Sequence, residues 1–345
     1  MKSTRLMLLV VLHVLAVPAS AQVVCDTPRG IAVAHDGVVD LFRSAGSART
    51  WQSEGLRNPT RCVADGERVA FVDTVSNTVR LIDLATGVGE TVKVGESPVV
   101  ALFLNGDLYV LARDARTLER IRRNGPRTAL AVTADPAMMR ATASSLFVYG
   151  RVAGLIQEID PLGLTVKREA SLAPFAADME IDGKDAYFVY PREGVIRALS
   201  LDTFKPSGEW KVGAVPVDLE FAGGGSALTA RLIAVADPSA KRVWMVEGSQ
   251  GGIAAFSRGF LRGILGLGLF GRRRSAFATG IDRIMIRGKY WIAFDTSSGT
   301  LYRFTRKGSS ELAKGVLPQA FTVTGEGPVW WAGGTLVAKR SLSDG

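Results

Sequence analysis

Short apolar runs alternate with polar turns along most of the chain. The runs are rich in β-branched and aromatic residues, as in Val69–Val72 and Tyr290–Phe294, and Gly or Pro interrupts them at short intervals. This pattern is typical of strands, because an amphipathic helix needs apolar positions at a period of about 3.6 over a longer stretch. The pattern therefore predicts an all-β protein and argues against a helical solenoid.

Prolines mark a repeat of nearly constant length. Six of them recur at intervals of 31, 39, 38, 38 and 42 residues, and each stands just before an apolar run. A gap of 102 residues precedes the seventh, and Gly280 fills the missing place 38 residues before it. A repeat near 40 residues that holds four short strands predicts the blade of a β-propeller. The seven prolines are Pro28, Pro59, Pro98, Pro136, Pro174, Pro216 and Pro318.

The count of inner strands favours eight blades, with seven as the alternative because the unit 31–57 is short. The last unit has three strands before the chain ends, whereas Val23–Asp26 precedes the first complete unit. We therefore expect Val23–Asp26 to pair near Thr335–Lys339, so that strands from the two ends share one blade and close the ring. The predicted inner strands begin near Ile31, Cys62, Val100, Arg140, Asp178, Asp218, Asp282 and Phe321.

One unit resembles a known repeat. The phrase VDTVSNTVRLID at Val72–Asp83 and the join VGESP at Val94–Pro98 are similar to the YVTN family of bacterial β-propellers, whose units pair V-x-N-x-x-N-T-V-S-V-I-D with V-G-x-x-P. The match covers residues 61–98, and the other units keep the spacing. The resemblance implies an exported propeller with a surface-layer, binding or scaffold role.

The first 21 residues resemble a cleaved export signal. Lys2 and Arg5 precede the apolar stretch 6–17, and small residues at 19–21 suit cleavage before Gln22. We expect residues 22–345 to form one propeller domain. We also expect the protein to be located in a bacterial periplasm or to be secreted. The formal charge of +9 falls to +7 on cleavage, since 42 − 2 = 40 basic residues then face 33 acidic ones. In an exported protein this charge suits acidic proteins or membrane surfaces rather than nucleic acid.

The two cysteines, Cys25 and Cys62, would lie where disulfides persist. With Cys25 assigned to an outer strand and Cys62 to an inner strand, their Cα atoms should lie beyond the ~7 Å that a disulfide allows. A disulfide remains possible, but the favoured interpretation is that the two cysteines are unrelated small hydrophobic side chains.

Charged residues begin several predicted inner strands, which would place them at the mouth of the central channel. An acidic arc could face a basic arc there and hold a cation or a zwitterion, and a bound calcium ion is possible although no other cofactor is expected. The alternative is that each acid pairs with a neighbouring Lys or Arg. The acidic residues are Asp178, Glu180, Asp218, Glu220 and Asp282, and the basic ones are Arg61 and Arg140.

Other chemistry has little support in the sequence. His35 is the one histidine beyond the export signal, so Ser-His-Asp catalysis and histidine-rich metal sites lack their residues. Asp73, Asp237 and Asp295 follow second strands, where a carboxylate can accept hydrogen bonds from the backbone of its own turn. We expect these aspartates to be structural.

The sixth unit carries an insertion at 249–279 that is both apolar and basic. Its composition suits a groove on another protein or a membrane interface, and it could also fold back as a cover on its own propeller. We expect 251–274 to dock a protein partner, with membrane contact as a further possibility. The sequence thus predicts a non-enzymatic scaffold or accessory subunit, with an enzyme or ligand sensor that uses the channel mouth as the alternative. The expected docking residues are Phe256, Arg258, Phe260, Leu261, Arg262, Ile264, Leu265, Leu267, Leu269, Phe270, Arg272, Arg273 and Arg274.

Overall fold

A computed structural model describes residues 22–123, 125–221, 232–247, 273–305 and 308–338. These ranges form 31 strands joined by turns, arranged in eight antiparallel sheets. In the described part of the chain, no helix is long and apolar enough to cross a membrane.

The sheets are the blades, which we number along the chain. Blade 1 contains β1 (Val23–Thr27), β2 (Gly30–His35), β3 (Val38–Phe42) and β4 (Arg49–Glu54). Blade 2 contains β5 (Arg61–Ala64), β6 (Arg68–Asp73), β7 (Thr78–Asp83) and β8 (Gly89–Lys93). Blade 3 contains β9 (Pro98–Leu104), β10 (Asp107–Ala112), β11 (Thr117–Ile121) and β12 (Thr128–Ala131). Blade 4 contains β13 (Pro136–Ala141), β14 (Leu146–Gly150), β15 (Leu155–Asp160) and β16 (Thr165–Ser171).

The second half of the chain repeats the arrangement. Blade 5 contains β17 (Asp178–Asp182), β18 (Asp185–Tyr190), β19 (Val195–Ser200) and β20 (Lys205–Lys211). Blade 6 contains β21 (Asp218–Phe221), β22 (Leu232–Asp237), β23 (Arg242–Glu247) and β24 (Arg273–Ala276). Blade 7 contains β25 (Arg283–Arg287), β26 (Tyr290–Asp295), β27 (Thr300–Phe304) and β28 (Ser309–Ala313). Blade 8 contains β29 (Phe321–Thr324), β30 (Gly327–Ala332) and β31 (Thr335–Ala338).

Each sheet is ordered along the chain from its first strand to its last. First strands of successive blades contact one another, and β1 also contacts β29, so these strands surround the axis of a closed ring. The predicted eight-bladed β-propeller is therefore confirmed. Its core lies between the blades, where apolar faces of adjacent sheets meet, as Tyr187 and Val189 of blade 5 meet Leu219 of blade 6.

The predicted closure of the ring was wrong in one respect. β1 pairs with β2, with Val23 opposite Ala34 and Thr27 opposite Gly30, so it is the inner strand of blade 1 and does not complete blade 8. Pro28 consequently lies in a hairpin turn rather than before an inner strand, and Ile31 belongs to a second strand. Pairing β1 with β2 closes a much shorter loop than pairing β1 with the distant end of the chain. The local pairing therefore loses less chain entropy.

Blades 1 and 8 still meet where the ring closes. The Val24 N–H donates to the Gln319 carbonyl oxygen at 2.9 Å, and Val24 packs in one cluster with Trp331. His35 stacks on Trp331 with ring centroids 4.6 Å apart and lies 3.0 Å from a carboxylate oxygen of Asp40. Among the described residues, the junction is therefore made by packing between blades together with this one backbone hydrogen bond from β1.

The expectation that Cys25 and Cys62 stay apart was also wrong, and for the same reason. Because Cys25 is in β1, it lies on the inner strand next to β5, which carries Cys62. The two residues form a disulfide with Cα atoms 5.9 Å apart. This bond joins the inner strands of blades 1 and 2.

The turn aspartates have the structural role that we predicted. Asp73 accepts hydrogen bonds from the N–H groups of Val75 and Ser76 through one oxygen. Asp237 and Asp295 make equivalent bonds in their own turns, and all three side chains are buried. Asp237 also accepts from the Ala214 N–H of a blade connection, so it ties a turn to the path between blades.

Candidate functional site

The antiparallel order of each blade defines two faces of the ring. Connections between blades and the turns between second and third strands lie on one side, which we call the connection face. The turns between first and second strands and between third and fourth strands lie on the other side. We call this side the insertion face, because β23 ends and β24 begins there, on either side of the insertion in the chain. The channel runs between the two faces along the first strands.

The register of the hairpins places the charged residues at equivalent positions. Arg61, Asp178 and Asp218 are each opposite the penultimate residue of the second strand of their blade, and Arg283 holds the same position in blade 7. Asp282 therefore lies one position earlier than expected, and its carboxylate accepts bonds from Thr296. Arg140 is opposite Phe147, which makes it equivalent to Glu180 rather than to Asp178.

Arg140 binds the two acids of the next blade. Its guanidinium lies 2.7 Å from Glu180 Oε1 through Nε and 3.2 Å from Asp178 Oδ1 through an η nitrogen. Burial alone would lower the pKa of Arg140, but attraction to Glu180 and Asp178 outweighs burial and raises it. The expectation that Arg140 faces the acids from an opposite arc was wrong, since blades 4 and 5 are neighbours.

Two carboxylates connect one blade to the next. Asp178 Oδ2 accepts a hydrogen bond from the Leu219 N–H at 3.1 Å, and Asp218 Oδ2 accepts one from the Ile284 N–H at 2.6 Å. An inner strand has one edge toward the channel, where its N–H groups have no strand partner. These acids supply the missing acceptors, and Arg283 similarly donates to the Pro318 carbonyl oxygen at 2.6 Å.

Two ionisable side chains in the channel form no such bonds. Glu220 has no hydrogen-bonding or ion-paired partner among the described residues, and the same holds for Arg61. Burial, followed by repulsion from Glu180 and Asp178, raises the pKa of Glu220 to about 8. Burial and repulsion from Arg283 lower the pKa of Arg61. Blades 2 and 6 are four steps apart in a ring of eight, so these two charges lie on opposite sides of the channel.

The described ranges contain no cluster of side chains suited to binding a metal ion. Nowhere in them do three side chains of the His, Cys, Asp or Glu type come together as a metal ion would require. Asp178 and Asp218 each give one oxygen to a backbone N–H, which leaves few free ligands for the calcium ion considered above.

The expected docking residues 256–272 lie outside the described residues. Arg273 and Arg274 fall on β24, where the backbone pairs with Met245 and Trp244 of β23. The predicted insertion at 249–279 therefore includes β24 itself, and the paired strands β23 and β24 flank residues 248–272 in the chain.

Folding stability should fall as the pH rises from about 5 to about 8. Glu220 has an ordinary pKa near 4.5 and a folded pKa of about 8, so between these values the folded protein holds a proton that the unfolded chain has lost. A proton bound more tightly by the folded state stabilises it at low pH, and that stabilisation is lost as the pH approaches the folded value. Thermal unfolding across this range measures the effect.

Glu220→Gln is the matched variant for this prediction, because it keeps the shape of the side chain and removes its titration. The unfolding temperature of Glu220→Gln should depend less on pH than that of the unchanged protein. Some dependence should remain, since burial also raises the pKa of Glu180 and of Asp218. Parallel curves for the two proteins would show that Glu220 titrates normally.

Sequence reasoning missed Arg283 as a channel residue and did not consider Asp26 and Arg287. The signal for Arg283 was present, because Asp73 and Asp295 end equivalent second strands, and the residues 12 positions before them are Arg61 and Arg283. Burial raises the pKa of Asp26, and Arg287 opposes that shift, which places these two residues within electrostatic reach of each other.

Comparison with known proteins supports the fold. No protein-family model matches the chain, and no curated protein matches its sequence. Among solved structures, the chain is similar to the computationally designed Ika8 protein (TM-score 0.66, 10% identity, 92% of this chain and 95% of the other). BamB from Moraxella catarrhalis is also similar (TM-score 0.63, 12% identity, 91% and 94%), as is streptogramin B lyase (TM-score 0.57, 11% identity, 81% and 91%). At these identities the likeness shows a shared β-propeller fold and nothing finer.

Proposed function

We propose that this protein is an exported, non-enzymatic β-propeller that binds a protein partner as a scaffold or accessory subunit. The YVTN-like unit at 61–98 supports this class, and the similarity to BamB is compatible with it. Export is supported by the Cys25–Cys62 disulfide, since such bonds persist mainly outside the reducing cytosol.

The single observation that carries the proposal is the way the sixth blade accommodates its insertion. β23 and β24 stay paired from Arg242 opposite Ala276 to Met245 opposite Arg273, although 25 residues separate the strands. Residues 273–276 therefore complete the four-stranded sheet of blade 6, although 25 residues are inserted between its third and fourth strands. A segment that the sheet does not need, and that is rich in apolar and basic residues, is suited to a partner outside the ring.

Replacing 251–272 by a short Gly-Ser turn should leave the ring folded and abolish capture of the partner. The paired ends of β23 and β24 are kept, so the unfolding temperature should change little. The measurement compares partners recovered from native membrane and soluble fractions by the two proteins. A matched control shortens residues 222–231, which join β21 to β22 on the same face. If the shortened protein unfolds or aggregates, the insertion is an internal cover and the proposal is wrong.

A ligand sensor with a site in the channel is the second candidate. It is favoured by Glu220 and Arg61, two ionisable side chains on opposite sides of the channel that make no hydrogen bond or ion pair with a described residue. A zwitterion of suitable length could place its cation at Glu220 and its anion at Arg61. This candidate can be tested by measuring how small zwitterions change the unfolding temperature. It predicts that at least one compound stabilises the protein and that the stabilisation disappears in Arg61→Ala.

A further inference from the structure

Exposed apolar side chains are concentrated on the connection face. Five of the eight large ones in the described ranges lie there, and three belong to consecutive sectors of the ring. Val152 is in the β14–β15 turn, Phe175 is in the connection from blade 4 to blade 5, and Val215 is in the connection from blade 5 to blade 6. They are 57%, 39% and 38% exposed. We call these three residues the apolar rim.

Local contacts hold this rim in place. The Phe175 N–H donates to the Arg151 carbonyl oxygen at 2.7 Å, which sets Phe175 beside the turn that carries Val152. The guanidinium of Arg192 lies 4.5 Å from the centre of the Phe175 ring. Val215 follows Ala214, whose N–H is held by the buried Asp237. The rim is thus built on hydrogen-bonded backbone rather than on free loop tips.

The acidic side of the channel occupies the same sectors. Phe175 precedes Asp178 by three residues, and Val215 precedes Asp218 by three. Three residues span at most ~10 Å, so the rim and the channel acids are within reach of one extended ligand. Glu220 lies two residues beyond Asp218 on the same side of its strand, and it makes no hydrogen bond or ion pair with a described residue.

We propose that the connection face at blades 4 to 6 binds a polypeptide segment of a partner protein, with apolar side chains on the rim and a Lys or Arg reaching Glu220. Charge complementarity selects this occupant, because Arg140 is bonded to Asp178 and Glu180, whereas Glu220 makes no ion pair with a described residue. The site deepens the protein-binding function proposed above and does not depend on the insertion, whose flanking strands β23 and β24 are joined at the opposite face.

Binding of such a segment should release a proton. Glu220 faces Glu180 and Asp178 of blade 5, Arg140 of blade 4 and Arg287 of blade 7, as well as Asp218 of its own strand. The acids favour its protonated form, and an arriving ammonium or guanidinium would favour the carboxylate. Affinity for a basic segment should therefore rise with pH toward about 8, and the heat of binding should depend on the ionisation enthalpy of the buffer.

The test uses a displayed library of short random peptides selected against the mature protein. We expect the enriched peptides to place Lys or Arg among apolar residues. A synthetic copy should bind about tenfold more weakly to Phe175→Ser with Val215→Ser, because the two substitutions remove apolar surface that the peptide would otherwise bury. It should weaken similarly with Glu220→Gln, which also removes the pH dependence. The matched control is Val88→Ser with Leu162→Ser, on the insertion face and more exposed at 72% and 67%, which should leave binding unchanged.

Several results would overturn this inference. No enrichment, enriched peptides without basic residues, or equal affinity for Glu220→Gln would each show that the acid does not select the ligand. Loss of binding in the control pair would place the site on the insertion face. Replacement of 251–272 separates the two proposals, because peptide binding should survive it even where capture of the natural partner does not.

Discussion

Arg140→Met is expected to destabilise the ring by about 2 to 3 kcal/mol. The substitution leaves Asp178 and Glu180 close together in the channel without the guanidinium that both of them bind. Breaking a buried ion pair by removing one partner costs roughly 3 to 5 kcal/mol. We expect a smaller loss here because the Arg140 side chain is 31% exposed to solvent. The midpoint of urea unfolding at neutral pH measures the change.

Arg197→Met is the matched control for this prediction. Arg197 has the same 31% exposure and also binds two carboxylates, but Glu193 and Glu209 are 44% and 51% exposed on the outer part of blade 5. Pairs of that kind contribute about 0.2 to 1 kcal/mol. A triple variant with Arg140→Met, Asp178→Asn and Glu180→Gln should recover part of the loss. Equal effects of Arg140→Met and Arg197→Met would show that the channel cluster is no more than a surface network.

Removing the disulfide should destabilise the protein by about 4 kcal/mol. Cys25 and Cys62 are 37 residues apart, and cross-linking a loop of that length restricts the unfolded chain by about this amount. The effect should be concentrated at blade 1, because the bond holds the inner strand next to the junction with blade 8. Cys25→Ala with Cys62→Ala, compared with the unchanged protein by urea unfolding, measures it.

Reduction provides the control for the disulfide. A reducing agent should lower the unfolding midpoint of the unchanged protein to that of the double alanine variant, and it should leave the variant unaffected. The same midpoint for oxidised and reduced protein would contradict the prediction. It would indicate that packing of Val24 against blade 8 is sufficient to hold β1 in place.

The propeller could be predicted from the sequence because its signals are local. Hairpins place apolar residues at a period of two, and a repeat near 40 residues recurs with its proline, so fold and blade number follow without long-range information. The position of β1 could not be predicted in this way. Pro28 lies in a hairpin turn but has the same spacing as the prolines of the blade connections. For this reason β1 was assigned to an outer strand, and the same error placed Cys25 far from Cys62.

The candidate site was predicted less completely. Acidic and basic residues at the inner strands were recognised, but an error of one residue in blade 7 assigned Asp282 to the position that Arg283 holds. Successive side chains along a strand point to opposite faces, so an error of one residue selects the wrong side chain. The bonds from Asp178 and Asp218 to the next blade depend on how neighbouring sheets dock. No pattern within one repeat carries that information, and only the positions of its neighbours show that Glu220 makes no ion pair with a described residue.

A photo-reactive amino acid at position 260 would test the proposed docking role most directly. The central claim is that the insertion contacts a separate protein, so the account predicts a cross-linked product with one partner chain. The same group at position 162, on the same face but in blade 4, should give no such product. Cross-links from position 260 to the propeller itself or to lipid, or none at all, would contradict the claim that this protein binds its partner through the insertion.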